Sequence, residues 1–153
     1  MLSRNIHFTA VNNLENCTVP EIFKDFKEVY QYYLHYGFQI TKLHADGKFG
    51  PLKSLIESLT GGPIVNLAAA NEHVPDKERR IRVVKERCRA PQHGLPLQRM
   101  TKLLTTHIVL NTVNMLKLFP TKGEISDSLS PNTIMSGETL DFKKNLCLQL
   151  GQY

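Results

Sequence analysis

The stretch TVPEIFKDFKEVYQYYLHYGFQITKLHADG, residues 18–47, contains the pattern that decides the fold class. Thr18 and Glu21, three residues apart, form a capping-box pattern, and Pro20 suits the first turn of a helix. Apolar side chains then recur on one helical face, at Ile22, Phe23, Phe26, Val29, Tyr30 and Tyr33. The pattern therefore predicts a helix over residues 18–36 whose aromatic face packs into a core.

A strand is predicted directly after this helix. Gly37 is placed to end the helix, and residues 38–45 read as a strand that runs into Asp46 and Gly47. The same criteria predict strands at residues 6–11 and 63–69, helices at residues 48–59, 75–89 and 98–119, and a loop from Pro91. Ile6 and Phe8 are apolar members of the first strand, and Leu55, Ile81 and Leu103 belong to the apolar faces of the three helices. Strands that alternate with helices predict an α/β layer with at least some parallel pairing. Three strands would make an unusually thin sheet.

Composition favours an ordinary globular protein, with 41% hydrophobic and 22% charged residues. The chain has no apolar run of the roughly 20 residues that span a membrane, and its first residues do not resemble a signal peptide. We therefore expect an intracellular protein without a membrane partner.

The three cysteines are widely spaced and odd in number, which argues against a disulfide framework and against a zinc site. For residues 121–153 the sequence predicts little regular structure.

Positive charge is concentrated in the middle of the chain. Residues 76–102 contain nine basic and three acidic side chains, a net charge of +6, whereas the whole chain carries +5. Such a block on a helix is suited to nucleic-acid phosphates. A solvated helix surface is the alternative interpretation, and charge alone does not separate the two.

Two carboxylates, Asp46 and Glu78, are candidates for catalysis or metal binding. Asp46 follows a predicted strand, and active sites of open α/β sheets gather at such strand ends. Glu78 lies in the first turn of the predicted basic helix, beside Arg79, Arg82 and Lys85 at helical spacings. The alternatives are a plain turn aspartate, because Asp-Gly is a common turn pair, and a surface glutamate favoured by the helix dipole. Together the two acids could hold Mg²⁺ beside a nucleic-acid backbone.

Longer strings carry a resemblance to the integrase core of copia-type retrotransposons. LHADGKFGPL (residues 43–52) resembles the segment with the second aspartate of retroelement integrases. NEHVPDKERRIRVVKERCRA (residues 71–90) resembles the segment with the integrase glutamate. SDSLSPNTIMSG (residues 126–137) resembles the Ser-Pro segment downstream of the core. The similarity covers nearly the whole chain, and the middle string is the most specific.

This resemblance implies a ribonuclease H-like fold, a mixed sheet flanked by helices, here without its first strands. It assigns Asp46 and Glu78 as catalytic residues and as ligands of Mg²⁺ or Mn²⁺. DNA is the implied partner, contacted by Arg79, Arg82, Lys85 and Arg89. It divides the chain into a partial catalytic core at residues 1–120 and an irregular post-core segment at residues 121–153. Nuclear action and a homo-oligomeric intact parent are implied by the resemblance alone.

The family's first aspartate has no counterpart in this chain, because the predicted first strand here matches a later family strand. The family's zinc-binding module has no counterpart either, so no zinc is expected. Met115 and Lys117 stand where related elements often carry Trp and Asn. We therefore expect an N-terminally truncated integrase core that does not transfer strands by itself. The alternatives are a non-enzymatic nucleic-acid-binding remnant that uses residues 75–89, and an unrelated α/β protein.

Overall fold

The computed structural model describes residues 1–69, 75–97, 99–120, 125–141 and 143. The chain separates into two compact units. Residues 12–75 form one unit, and residues 1–11 together with residues 76–153 form the other. The division of the chain into a core at residues 1–120 and a segment at residues 121–153 stays a prediction.

The first helix, α1, spans Val19–His35, close to the predicted bounds. The predicted capping box is wrong, because the Thr18 side chain makes no cap hydrogen bond. The carboxylate of Glu21 instead accepts hydrogen bonds from the backbone N–H groups of Glu15 and Asn16, both at 2.9 Å. The Glu21 side chain therefore stabilises the turn that precedes the helix.

The end and the buried face of α1 agree with the prediction. Gly37 has a φ of 78°, which a residue with a side chain adopts only at a cost, and its N–H donates to the Leu34 carbonyl at 3.0 Å. Tyr30 and Tyr33 are each only 4% exposed. The aromatic stripe is thus a core face.

Two short parallel strands form the sheet of this unit. β1 (Lys42–Ala45) pairs with β2 (Ile64–Leu67), with Leu43 opposite Val65. The predicted parallel pairing is confirmed, although both strands are shorter than predicted. The connection contains a 3₁₀ segment, Gly47–Leu52, and helix α2, Lys53–Glu57.

The core of residues 12–75 lies between this connection, the sheet and α1. Leu52, Ile56 and Val65 form a buried cluster, against which α1 and β1 contribute Ile22, Phe23, Phe26 and Leu43. Leu55 was expected on the buried face but is 39% exposed. The stretch begins as a 3₁₀ helix, with three residues per turn instead of 3.6, so the phase of a continuous α-helix does not apply.

The strand predicted at residues 6–11 is wrong. This segment makes one isolated antiparallel bridge, Leu2 to Thr9. His7 has a φ of 49°, which breaks the extended backbone that a strand requires. The predicted apolar members Ile6 and Phe8 are nevertheless buried, at 4% and 3% exposure. Across the described residues the only sheet is therefore two-stranded, which establishes a mixed α/β structure and leaves the ribonuclease H-like fold a prediction.

The basic helix α3 spans Pro75–Gly94 and continues five residues beyond its predicted end. Pro91 was predicted to begin a loop, but it lies inside the last turns of the helix. Ile81 was predicted to face the core but is 55% exposed. The half-buried side of the helix is centred on Arg80 and Val84, and Ile81 lies at its margin.

Helix α4 spans Lys102–Leu118 and is capped by Thr101, whose hydroxyl accepts from the Leu104 N–H at 3.2 Å. The start had been predicted at Gln98, which lies outside the described residues. Leu103 was predicted to be buried but is 69% exposed. It lies on the side opposite the buried residues Ile108, Thr112 and Val113.

The segment after α4 is not entirely irregular. Helix α5 (Pro131–Ser136) packs against α4. It begins at Ser130, whose hydroxyl accepts from the Thr133 N–H at 3.1 Å, and it ends at Gly137 with a φ of 74°. The remaining part of the prediction for residues 121–153, at residues 121–124, 142 and 144–153, lies outside the described residues.

Candidate nucleic-acid interface and predicted catalytic carboxylates

Asp46 lies at the carboxyl end of β1, as predicted, and starts the 3₁₀ segment. Its backbone is extended, and its Oδ1 accepts a hydrogen bond from the Lys48 N–H at 3.0 Å. The side chain is exposed. This is the geometry of a turn aspartate, one of the two interpretations that the sequence left open. The hydrogen bond occupies one carboxylate oxygen, so the geometry does not by itself prevent the other from meeting a cation.

Glu78 lies in the first turn of α3 and is exposed. Its negative charge is favoured there by the partial positive charge at the amino end of the helix. Residues four, seven and eleven positions later share its helical face, namely Arg82, Lys85 and Arg89. The carboxylate therefore stands at one end of a row of cations.

The two acids belong to different compact units, Asp46 to residues 12–75 and Glu78 to the other unit. Among the described residues, no group of three or more His, Cys, Asp or Glu side chains could hold a metal ion. A site for Mg²⁺ or Mn²⁺ at Asp46 and Glu78 stays a prediction.

All four residues predicted to bind DNA are exposed, namely Arg79, Arg82, Lys85 and Arg89. Arg82, Lys85 and Arg89 form one row along the outer side of α3, which we call the α3 stripe. With a rise of 1.5 Å per residue, the stripe is about 10 Å long. Arg79 lies beside the stripe, with Glu86 nearby on the same side of the helix. The stripe can present several cations to one nucleic-acid strand.

Arg80 belongs to the basic block of residues 76–102 but lies outside the stripe, on another side of α3. Its Nε donates to the Thr9 hydroxyl at 2.9 Å, and its Nη2 donates to the His7 carbonyl at 3.4 Å. The side chain is half-buried. The spacing carried a signal for this, because Arg80, Val84 and Cys88 recur every four residues on one face.

A second cation contacts the same N-terminal segment. The Lys117 Nζ lies 4.9 Å from the centroid of the Phe8 ring, a cation–π contact. Burial lowers the pKa of Lys117 below its ordinary value, because the partly apolar surroundings disfavour the ammonium form. Burial likewise lowers the pKa of the Met1 amino group, which the charge of Lys77 lowers further. Positive charge is thus dense where residues 1–11 meet α3 and α4.

Comparison of the chain with models of protein families, with curated proteins and with solved structures finds no match. None of the helices in the described part of the chain has both the length and the apolar character needed to cross a membrane.

Proposed function

We propose that this chain is a portion of the catalytic core of a copia-type retrotransposon integrase, and that by itself it binds nucleic-acid phosphates without transferring strands. The observation that carries the binding part of the proposal is the α3 stripe, Arg82, Lys85 and Arg89, all exposed on one side of a long helix. The integrase part rests on the resemblance of the strings around Asp46 and Glu78.

The stripe is suited to the backbone of a nucleic acid rather than to its bases. Guanidinium and ammonium groups donate charge-assisted hydrogen bonds to phosphate oxygens. Cations in a row along about 10 Å can meet neighbouring phosphates of one strand. Such contacts position a protein on the duplex and carry no sequence information. We therefore expect binding with little sequence preference and a steep dependence on salt.

The acids on the same side of α3 limit this attraction. Glu78 and Glu86 are exposed among Arg79 and the three cations of the stripe, which leaves a net charge of +2 on that side. In the integrase proposal, Glu78 and Asp46 would hold Mg²⁺ or Mn²⁺ in the intact parent, where the metal would activate the attacking oxygen and stabilise the leaving one. Only two of the family's three carboxylates have counterparts here, so no strand transfer is expected from this chain.

The binding proposal is tested by measuring affinity for a short duplex of mixed sequence over a range of salt concentrations. The triple variant Arg82→Gln, Lys85→Gln, Arg89→Gln should bind about one to two orders of magnitude more weakly and lower the salt slope by about three. A matched control, Lys24→Gln, Lys27→Gln, Lys42→Gln, removes the same charge from exposed positions on α1 and β1. Equal losses in both variants, or a salt-insensitive affinity, would refute the proposed interface.

The integrase part has a separate test. The purified chain should neither nick DNA nor join DNA ends in the presence of Mg²⁺ or Mn²⁺. Nicking or joining by the wild-type chain that disappears on Glu78→Gln would contradict this expectation. The nucleotide sequence upstream of the Met1 codon tests the parentage. If it encodes, in frame, a strand with an aspartate, the extended protein should be active and should lose activity on Asp46→Asn or Glu78→Gln.

The alternative function is nucleic-acid binding by α3 in a chain that does not derive from an integrase. The exposed stripe supports it equally, because it needs neither carboxylate. An extended protein that binds DNA but stays inactive with divalent metal would favour this alternative.

A further inference from the structure

Helix α3 is held in its unit in an unusual way for a helix of 20 residues. None of its described side chains is fully buried, and its half-buried side is centred on Arg80 and Val84. Among the described residues it packs extensively against no other helix or strand. Individual side-chain contacts therefore contribute to its position.

Such contacts run from α3 to the N-terminal segment, residues 1–11. Near the start of the helix, the Asp76 carboxylate lies 3.3 Å from the Arg4 Nε, but both side chains are 57% exposed, so solvent weakens this ion pair. One turn further on, Arg80 donates to the hydroxyl of Thr9 and to the carbonyl of His7. Thr9 is only 7% exposed, so this second attachment is better shielded from water.

The N-terminal segment is in turn held from α4. The Lys117 ammonium lies over the ring of Phe8. In the sequence, Phe8 stands between His7 and Thr9, the two residues that Arg80 contacts. Phe8 is 3% exposed and thus well packed. Three consecutive residues, His7, Phe8 and Thr9, therefore connect a cation of α3 to a cation of α4.

We propose that Arg80 is a positioning residue: its hydrogen bonds to Thr9 and His7 hold α3 so that the stripe can engage phosphates, and Arg80 itself contacts no phosphate. This inference rests on the proposed function of the stripe. Arg80 lies two positions from Arg82, about 200° around the helix, so it points away from the stripe. The fixed fork of the guanidinium is what allows it to reach both a hydroxyl and a carbonyl, which a lysine cannot reproduce.

The test compares variants that preserve charge. Thr9→Val removes the hydroxyl that accepts from Arg80, whereas Thr9→Ser keeps it. Arg80→Lys keeps the charge but loses the fork. We expect Thr9→Val and Arg80→Lys to weaken binding of a short mixed-sequence duplex on the order of tenfold, with an unchanged salt slope. Thr9→Ser should bind like the wild type, and the Thr9→Val, Arg80→Lys double variant should bind no more weakly than either single variant.

Binding is measured well below the unfolding temperature of each variant, so that a loss of stability alone does not change the affinity. Wild-type affinity in Thr9→Val and Arg80→Lys would overturn the positioning role. If Arg80→Gln lowers the salt slope by about one while Arg80→Lys does not, Arg80 is a phosphate ligand and the inference is wrong. If the wild-type protein shows no salt-dependent binding, the proposed function itself is refuted. This result differs from the two outcomes above, in which the wild-type protein still binds DNA.

Discussion

Helices α1 and α3 are similar in length, 17 and 20 residues, but they are built on opposite principles. α1 buries Tyr30 and Tyr33 and packs its apolar face on Leu52, Ile56 and Val65. α3 buries none of its described side chains and exposes a row of cations. Burial of an apolar face stabilises a fold, whereas an exposed charged face contributes little to stability. The sequence of α1 is thus constrained by packing more strongly than that of α3.

The first prediction concerns the core on which α1 packs. Leu52 is 2% exposed, so Leu52→Ala should lower the free energy of unfolding by about 2–5 kcal/mol through lost burial and the cavity it leaves. Leu55, at 39% exposure, is the matched control, and Leu55→Ala should cost less than about 1 kcal/mol. Urea titration measures both values. Equal losses would show that α1 does not pack on a specific core.

The second prediction contrasts crowding in the two regions. A Cβ added at Gly62 would lie 2.5 Å from the Ile56 carbonyl oxygen and 2.8 Å from that of Leu59. Gly62→Ala should therefore cost about 1–3 kcal/mol, because backbone must shift. Gly94, the last residue of α3, has no atom within 4 Å of an added Cβ, so Gly94→Ala should be neutral or stabilise by up to about 1 kcal/mol. Thermal unfolding of both variants checks this, and a costly Gly94→Ala would mean that α3 is crowded as well.

The third prediction concerns the hydroxyl of Tyr30. It donates to the Gly61 carbonyl at 2.7 Å and so attaches α1 to the turn that leads into β2. Tyr30→Phe should lower the free energy of unfolding by about 1 kcal/mol, since the carbonyl loses its partner. Tyr36→Phe, at a side chain with 36% exposure, should have a smaller effect in the same urea titration. The reverse order would show that the aromatic face of α1 does not anchor this turn.

The smallest expected effect is a pH dependence of stability in the unit that contains residues 1–11 and 76–153. Because the pKa of Lys117 is lowered by burial, the unfolded chain binds more protons than the folded one between that lowered pKa and the ordinary value of 10.5. Lys117 therefore makes stability rise with pH in this alkaline window. In Lys117→Met the rise should be smaller than in the wild type. Lys102→Met, at an exposed position on α4, should leave it unchanged, and equal slopes in all three proteins would contradict the assignment.

Local patterns predicted the elements well where one face alternates clearly with another. The stripe of α1 and the glycine at its end followed from spacing, and some parallel pairing followed from the alternation of strands with helices. The pattern failed at Leu55 and Leu103, since the phase of a helix depends on how its first turn forms and on which side its neighbours lie. It failed at residues 6–11 because the left-handed backbone of His7 has no distinctive signal in the sequence.

The candidate site was predictable to a similar extent. Helical spacing placed Arg82 and Lys85 beside Glu78 on one face of a helix, and both side chains are exposed. The same count of charges could not separate Arg80 from them, because the difference depends on Thr9, 71 positions earlier in the chain. For Asp46, the sequence allowed a turn role and a metal role, and the hydrogen bond to Lys48 shows that the turn role is filled.

The tyrosines of α1 make the two units distinguishable by optical methods. The chain has no tryptophan and five tyrosines, four of them in or directly after α1. Intrinsic tyrosine emission and near-ultraviolet circular dichroism therefore report mainly on residues 12–75, where Tyr30 and Tyr33 are buried. A far-ultraviolet helical signal includes α3 and α4 as well. Two unfolding curves that do not coincide would show that the units melt independently, and a single tryptophan introduced at exposed Ile81 would give the basic helix a fluorescence signal of its own.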